Sequence, residues 1–237
     1  MKGKKTIFRH EIKYLINACD EELIRQKLKA ILKLDEHTVD RKYKVRSLYF
    51  DDYWDVSYLD KTNGFSGRKK YRIRTYDDNP DIIKLECKRK QGSYISKTVA
   101  ALTLEEYQKI IDGDYGFLLN RPEELCKQFY YECTGRFVRP RVFVEYEREP
   151  YVMEAGDVRI TFDKNVRAAS PWFSMFDDSA PYYHALEPGK LVLEVKFTEF
   201  LPEIVKNALS AKGAEMCAIS KYTMCCKQIN YLTAKLY

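Results

Sequence analysis

The sequence predicts an α+β protein built on an antiparallel sheet flanked by amphipathic helices, and three observations carry that expectation. Period-2 alternation rich in Val, Ile, Tyr and Phe recurs in eight segments: 6–16, 43–51, 67–76, 81–90, 93–101, 137–148, 157–167 and 190–199. Strand-like runs follow one another directly, notably across Gln91-Gly92, as in a hairpin and unlike a βαβ array. Helical periodicity is confined to separate stretches, each with an apolar stripe that suits one face of a sheet.

Taken in order, the first strand alternates Arg9, Glu11 and Lys13 with Phe8, His10, Ile12 and Tyr14. A helix follows over 20–33, with Asp20 as its N-cap. In the third run Tyr71, Ile73 and Thr75 share one side while Arg72 and Arg74 share the other; in the fourth Lys84, Glu86, Lys88 and Lys90 oppose Leu85, Cys87 and Arg89. Thr103 and Glu106 form a capping box opening a helix over 103–112, and a further helix covers 121–134. Later strands repeat the split, Arg159, Thr161 and Asp163 against Ile160 and Phe162, then Glu194 and Lys196 against Leu191, Leu193, Val195 and Phe197. Helices over 202–212 and 220–234 complete the chain, the last opened by Ser220-Lys221.

Composition narrows the class. The chain has 237 residues, 45% hydrophobic and 32% charged, without the roughly 18 to 20 consecutive apolar residues of a membrane-spanning helix. No repeat, linker or low-complexity tract divides it, so one domain over 1–237 is expected. The basic start Met1-Lys2-Gly3-Lys4-Lys5 leads into no apolar signal-peptide core, which predicts a cytoplasmic protein. Seven cysteines include no C-x-x-C, so reduced thiols are expected rather than disulfides or a zinc knuckle. His10, His37 and His184 are scattered, and Trp172, Phe173, Phe176, Tyr182 and Tyr183 suit core or loop anchoring.

The formal charge of +6 is modest, so its distribution matters more than its sum. A solvated sheet face usually mixes signs, whereas here the charged faces are mostly basic, and like charges on neighbouring strands repel unless an anion lies between them. That pattern suggests a barrel with helices outside and a charged lumen inside, suited to a polyanion and to a few carboxylates for a divalent metal. Nucleic acid is disfavoured, because no stacking aromatics interleave with Arg72, Arg74 and Lys84 to Lys90.

A set of motifs then appears in order: Arg9-x-Glu11-x-Lys13-Tyr14, Ser47-Leu48-Tyr49-Phe50-Asp51, Tyr71-Arg72-Ile73-Arg74, Leu85-Glu86-Cys87-Lys88, Tyr146-Glu147-Arg148, Val158-Arg159-Ile160-Thr161-x-Asp163, Leu193-Glu194-Val195-Lys196 and Ser220-Lys221-Tyr222. Over about positions 6 to 235 the chain thereby resembles the VTC domain, the polyphosphate polymerase domain of the vacuolar transporter chaperone and a branch of the triphosphate tunnel metalloenzymes. The resemblance implies an eight-stranded antiparallel β-barrel tunnel that binds ATP, polyphosphate, triphosphate or pyrophosphate, with Mn2+ or Mg2+ as cofactor. It implies transfer of the γ-phosphate of ATP to polyphosphate; a triphosphatase or a non-catalytic polyphosphate-binding module are the alternatives. Lys13, Arg72, Arg74, Lys88, Arg148 and Arg159 correspond to the catalytic cage, and Lys97, Tyr146, Ser220 and Lys221 to further phosphate-binding positions. Lys90 and Lys196, on the same charged faces, join the substrate-binding candidates. Glu194 corresponds to the principal metal ligand, with Glu11 and Glu86 as further candidates.

The chain departs from the family pattern in places. Lys97 shares parity with Ile95 and Val99, so an inward direction calls for a bulge or twist near Ser96. Lys90 stands where eukaryotic polymerases carry a histidine, Ala218 where they carry a lysine, and Arg9 where other branches carry a glutamate. The eukaryotic domain also works beside membrane segments, so a membrane partner is conceivable. Glu11 and Glu86 can alternatively orient water for hydrolysis or simply pair with Lys13 and Lys88, and Glu194, between Leu193 and Val195, must ligate or pair with Lys196 or an arginine.

Overall fold

The computed structural model describes residues 10–36, 38, 40–92, 94–210 and 215–235. Arg9, Phe8, His37 and the last residues of the 202–212 helix lie outside the described residues. All eight alternating runs are strands: β1 (His10–Asn17), β2 (Tyr43–Asp51), β3 (Arg68–Tyr76), β4 (Ile83–Gln91), β5 (Tyr94–Leu102), β6 (Arg139–Met153), β7 (Val158–Ala169) and β8 (Lys190–Phe197). The helices are α1 (Ala18–Lys29), α2 (Val56–Thr62), α3 (Leu104–Ile111), α4 (Glu124–Gly135), α5 (Glu203–Leu209) and α6 (Lys221–Ala234). Among the described residues none is long and apolar enough to cross a membrane.

Two compact units share the described chain, one of 10–43, 147–166 and 186–219, the other of 44–146, 167–185 and 220–235. The first orders β1, β8 and β7 side by side, with a two-residue strand, Glu215–Met216, outside β1. The second orders β2, β3, β4 and β5. Every one of these pairings is antiparallel, as the direct succession of strands requires. Gly92, at φ +61, supplies the left-handed backbone between β4 and β5.

Each unit buries the apolar side of its alternation against helices. In the first, Ile160, Phe162, Leu191, Leu193 and Val195 pack with Ile24 and Leu28 of α1 and Val205 of α5. In the second, Leu48, Phe50, Tyr71, Ile73, Leu85 and Cys87 pack with Tyr107 and Ile110 of α3 and with Leu125, Cys126, Phe129 and Cys133 of α4. Phe129 meets Phe50 edge-on at 5.1 Å and Tyr71 at 5.2 Å, and burying one such ring stabilises the fold by about 2–3 kcal/mol. The seven cysteines are free thiols, five of them buried. Phe176 and Tyr182 anchor to the second core, whereas Trp172 is exposed.

Among the described residues, N-cap side chains mark the starts of three of the six helices, α1, α3 and α6. Thr103 and Glu106 form the expected reciprocal cap of α3, at 3.1 and 3.0 Å. The cap of α1 is Asn17, not Asp20: its side chain accepts from the Asp20 amide at 2.8 Å, and Asp20 sits in the first turn, where its charge meets the helix dipole. No sequence signal announced α2. Its amides are capped from upstream, Ser57 and Tyr58 by Asp51 at 2.9 and 3.0 Å and Val56 by Asp52 at 3.0 Å. In the first unit Gly156, at φ +74, brings its backbone so near Phe200 that a Cβ would lie 2.4 Å from the Phe200 carbonyl oxygen.

Candidate phosphate-binding faces

In the second unit, register converts alternation into a ladder of charge. Lys70 pairs with Lys88 and Lys88 with Lys97; Arg68 pairs with Lys90, Arg72 with Glu86, and Arg74 with Lys84. Directly paired residues share a face, so Arg68, Lys70, Arg72, Arg74, Lys84, Lys88, Lys90 and Lys97 of β3–β5 surround a single carboxylate, Glu86. The other face of the same strands is the core, which fixes the direction of every cation.

Three of these cations converge on Glu86. Arg72 donates through Nε at 2.7 Å and approaches through Nη2 at 2.5 Å, Lys97 Nζ stands 2.5 Å away, and Arg74 Nη1 lies at 4.0 Å. Burial works to raise the Glu86 carboxyl, but the charges of Arg72, Arg74 and Lys97 prevail and hold it down at about 2. β2 braces the guanidiniums: Arg72 Nη1 donates to Tyr49 Oη at 2.8 Å and Arg74 Nε to Ser47 Oγ at 3.0 Å. Tyr146 of β6 accepts from Arg74 Nη2 at 3.2 Å, and Lys221 Nζ lies 4.8 Å from the centre of its ring. Burial opposes ionisation of Tyr49, yet Arg72 and Arg74 bring its phenol below the usual range.

One expectation changes here. β5 pairs with β4 without a break from Tyr94 to Leu102, so Lys97 reaches the charged face with no bulge at Ser96. The apolar residues that share its parity stand with it on that face, Val99 at 45% exposure, while Ala100 packs inward at 3%. Glu86 pairs with Arg72 and Lys97. Lys90, at the far end of the β3–β4 ladder, lines a cavity of about 470 Å3 with Arg68, Lys69, Arg89 and Arg136, walled also by Asp51, Asp52 and Glu132.

At the start of α6 Ser220 Oγ caps the helix by accepting from Thr223 N at 3.3 Å, and Lys70 Nζ lies 3.4 Å from the same oxygen. The Tyr222 hydroxyl donates to Asp51, and its ring stacks on Tyr49 at 5.0 Å. Lys70, Ser47, Tyr49 and Tyr222 were not among the candidates. Lys70 continues the alternation of Arg72 and Arg74 by one step, and Tyr49 stands inside the Ser47–Asp51 motif, so both were within reach of the pattern.

The first unit carries a balanced face instead. Lys13 pairs in register with Glu194, Glu11 with Lys196, Glu194 with Thr161, and Lys196 with Arg159. Lys13 Nζ stands 2.9 Å from Glu11 and 3.8 Å from Glu194, and Lys196 pairs with Glu194. Arg148 grips Asp163 with two bonds of 2.7 Å, and Arg159 lies 3.0 Å from Asp35 and 3.2 Å from Tyr43 Oη. Burial lowers the Lys196 ammonium against the opposing pull of Glu194. Among the described residues the basic excess expected of the charged faces taken together therefore belongs to the second unit. In the first, Asp35, outside every alternating run, joins Glu11, Glu194 and Asp163 to offset the cations.

Among the described residues no three His, Cys, Asp or Glu side chains form a ready metal cluster. The first unit nonetheless has donors of the right chemistry for a divalent cation. Glu194 and Glu11 meet around Lys13, and Thr161, directly across the ladder from Glu194, has a buried Oγ1 without a hydrogen-bond partner among the described residues. Hard cations of the Mg2+ kind take such oxygen donors, one or two carboxylates at a time, and complete their shell with water and phosphate oxygens. Glu86, enclosed by arginine and lysine in the second unit, is placed as a counter-ion.

No curated protein matches the chain. Among solved structures it is similar to a protein of Hippeastrum described as a putative adenylyl cyclase with a dominant triphosphatase activity. The TM-score is 0.55 at 15% identity, covering 92% of this chain and 95% of that one, a likeness of fold. A protein of Pyrococcus horikoshii OT3 is matched at a TM-score of 0.48 and 15% identity, over 94% of this chain and 99% of that one. The family model of the VTC domain matches residues 8–230, a span that takes in every motif from β1 to the start of α6, and the chain belongs to the VTC domain family.

Proposed function

We propose that the chain is a metal-dependent phosphotransferase that moves the γ-phosphate of ATP onto a polyphosphate chain. The observation that carries this reading is the β3–β5 ladder, where Arg72, Arg74 and Lys97 share one carboxylate in a field of further cations. Such a face is stable when an anion of several charges lies on it, and phosphoryl transfer needs little beyond charge neutralisation and alignment.

In this reading Arg72 and Arg74 present forked donors to phosphate oxygens, held in direction by Tyr49, Ser47 and Tyr146. Lys88, Lys90, Lys97 and Lys221 add point charges, and Ser220 orders the first turn of α6. Glu86 suppresses self-repulsion of the empty face and yields its partners to the arriving phosphates. In the first unit Lys13, Lys196, Arg148 and Arg159 are that unit's phosphate-binding cations, while Glu194 and Glu11, with Thr161 Oγ1, are the residues that would hold the divalent ion. When bound, Mn2+ or Mg2+ supplies charge neutralisation on phosphate oxygens. The acceptor end of polyphosphate is already ionised at neutral pH, so transfer requires no general base.

Hydrolysis of a triphosphate is the second reading, and it needs a carboxylate to orient water. Glu86, held at about 2 by its cations, is a poor base, which leaves Glu11 for that role. Incubating the protein with ATP and Mn2+ or Mg2+, with and without a short polyphosphate primer, separates the readings. Long polyphosphate with ADP supports transfer, free phosphate without polymer supports hydrolysis, and tight binding without turnover refutes both as enzymes.

A further inference from the structure

We infer that Lys70 is a further phosphate-binding residue of the β3–β5 face, and that its ammonium forms as the anion binds. The inference rests on the phosphate-binding reading of that face and adds to it a residue and a linked proton. Lys70 stands one step before Arg72 on the same side of β3, directly across from Lys88, which itself faces Lys97. Its Nζ lies 3.4 Å from Ser220 Oγ and 4.4 Å from the centre of the Tyr222 ring. Among the described residues no carboxylate comes within ion-pair distance of it, unlike Arg72 and Lys97 on the same ladder.

The groups around Lys70 explain why an anion would be welcome there. Arg68 on β3, Lys88 on β4 and Lys61 on α2 contribute positive charge. Asp51 of β2 and Tyr222 and Cys226 of α6 also neighbour it, but the Asp51 carboxylate is engaged with the Tyr222 hydroxyl and with the amides of Ser57 and Tyr58. Burial first, then repulsion from Arg68 and Lys61, lowers the Lys70 ammonium to about 7, against the weaker pull of Cys226 and Asp51. At neutral pH the empty face therefore holds this amine about half neutral. A phosphate group beside it restores the proton, taken from solvent.

The sign follows from linkage. Binding favours the protonated amine, so affinity is greatest below pH 7 and falls as pH rises through it, by at most about tenfold per pH unit for one proton. The test is calorimetric titration of metal-free tripolyphosphate into the wild type, Lys70→Met and Lys70→Arg at pH 6.5 and pH 8.5, in buffers of different ionisation enthalpy. The ligand's own titration is common to all three proteins and cancels in their ratios. Lys70→Met is expected to bind about tenfold more weakly than wild type at pH 6.5, to approach it at pH 8.5, and to take up less of a proton on binding. Lys70→Arg is expected to restore affinity at both pH values, and it carries the test alone if the methionine variant fails to fold. A wild-type to Lys70→Met ratio of one, or one that does not change with pH, overturns the inference while leaving the parent reading intact. Failure of the wild type to bind tripolyphosphate refutes the parent reading itself.

Discussion

Replacing Glu86 with glutamine should destabilise the empty protein and strengthen its response to polyanions. The carboxylate is 1% exposed and neutralises Arg72 and Lys97 at 2.5 Å, with Arg74 at 4.0 Å. Removing one partner of a buried ion pair costs about 3–5 kcal/mol, because the other charge is left uncompensated. For a chain of this size each kcal/mol moves Tm by about 2–4 °C, so Glu86→Gln should melt roughly 10 °C lower at pH 7. The same ion pairs set an acid dependence. The Glu86 carboxyl lies at about 2 in the folded protein against an ordinary value of 4.5, so its contribution is present above 4.5 and is lost as pH falls from there towards 2. That depression amounts to about 3 kcal/mol, in line with the cost of deletion. Thermal melts followed by circular dichroism from pH 7 to pH 3 measure both, and the variant should lack this part of the acid-labile stability. Tripolyphosphate should raise Tm more in Glu86→Gln than in wild type, since the anion no longer competes with a resident carboxylate. A variant that melts within about 2 °C of wild type, or that no longer responds to tripolyphosphate, would refute the counter-ion role.

Three further outcomes are expected. Arg74→Ala should weaken tripolyphosphate binding at least about tenfold with little change in Tm, because the bonds lost to Ser47 and Tyr146 are offset by relief of repulsion from Arg72; unchanged affinity in a titration would contradict the ladder. Glu194→Gln should keep tripolyphosphate binding but lose metal-dependent turnover of ATP, and full turnover would remove Glu194 from the metal site. Gly156→Ala should lower stability by at least about 1 kcal/mol, given its positive φ and the 2.4 Å approach of Phe200 O, while leaving tripolyphosphate affinity intact; an unchanged melt would show that the loop shifts at no cost.

Much of this was legible because strand period converts sequence into faces. Arg72, Arg74, Lys84, Glu86 and Lys88 stand where parity put them, since Ile73, Leu85 and Cys87 have to enter the core. β5 misled the same rule. Its bulkier Ile95 and Val99 line the charged face, and small Ala100 lies against the core, so side-chain size ran opposite to direction. Charge partners were illegible wherever they came from outside a run, as Asp35 does for Arg159. α2 could not be read for a related reason, since Asp51 caps its amides from the end of a strand several residues away. Arg46 shows the limit of parity from the other side. It lies on the packed side of β2, satisfied there by Glu145 at 2.8 Å, a pairing that no local pattern encodes.

The β3–β5 ladder also bears on how a long anion would travel. Neighbours on one face of a strand stand about 6.7 Å apart, so Arg68, Lys70, Arg72 and Arg74 form an evenly spaced row of basic side chains. A polymer of identical phosphates laid along such a row finds no single preferred alignment, and a shift by one repeat exchanges each contact for another of similar strength. Departure requires all of them to break together. Sliding is then easier than escape, and residence time should lengthen with every phosphate added until the chain outgrows the row.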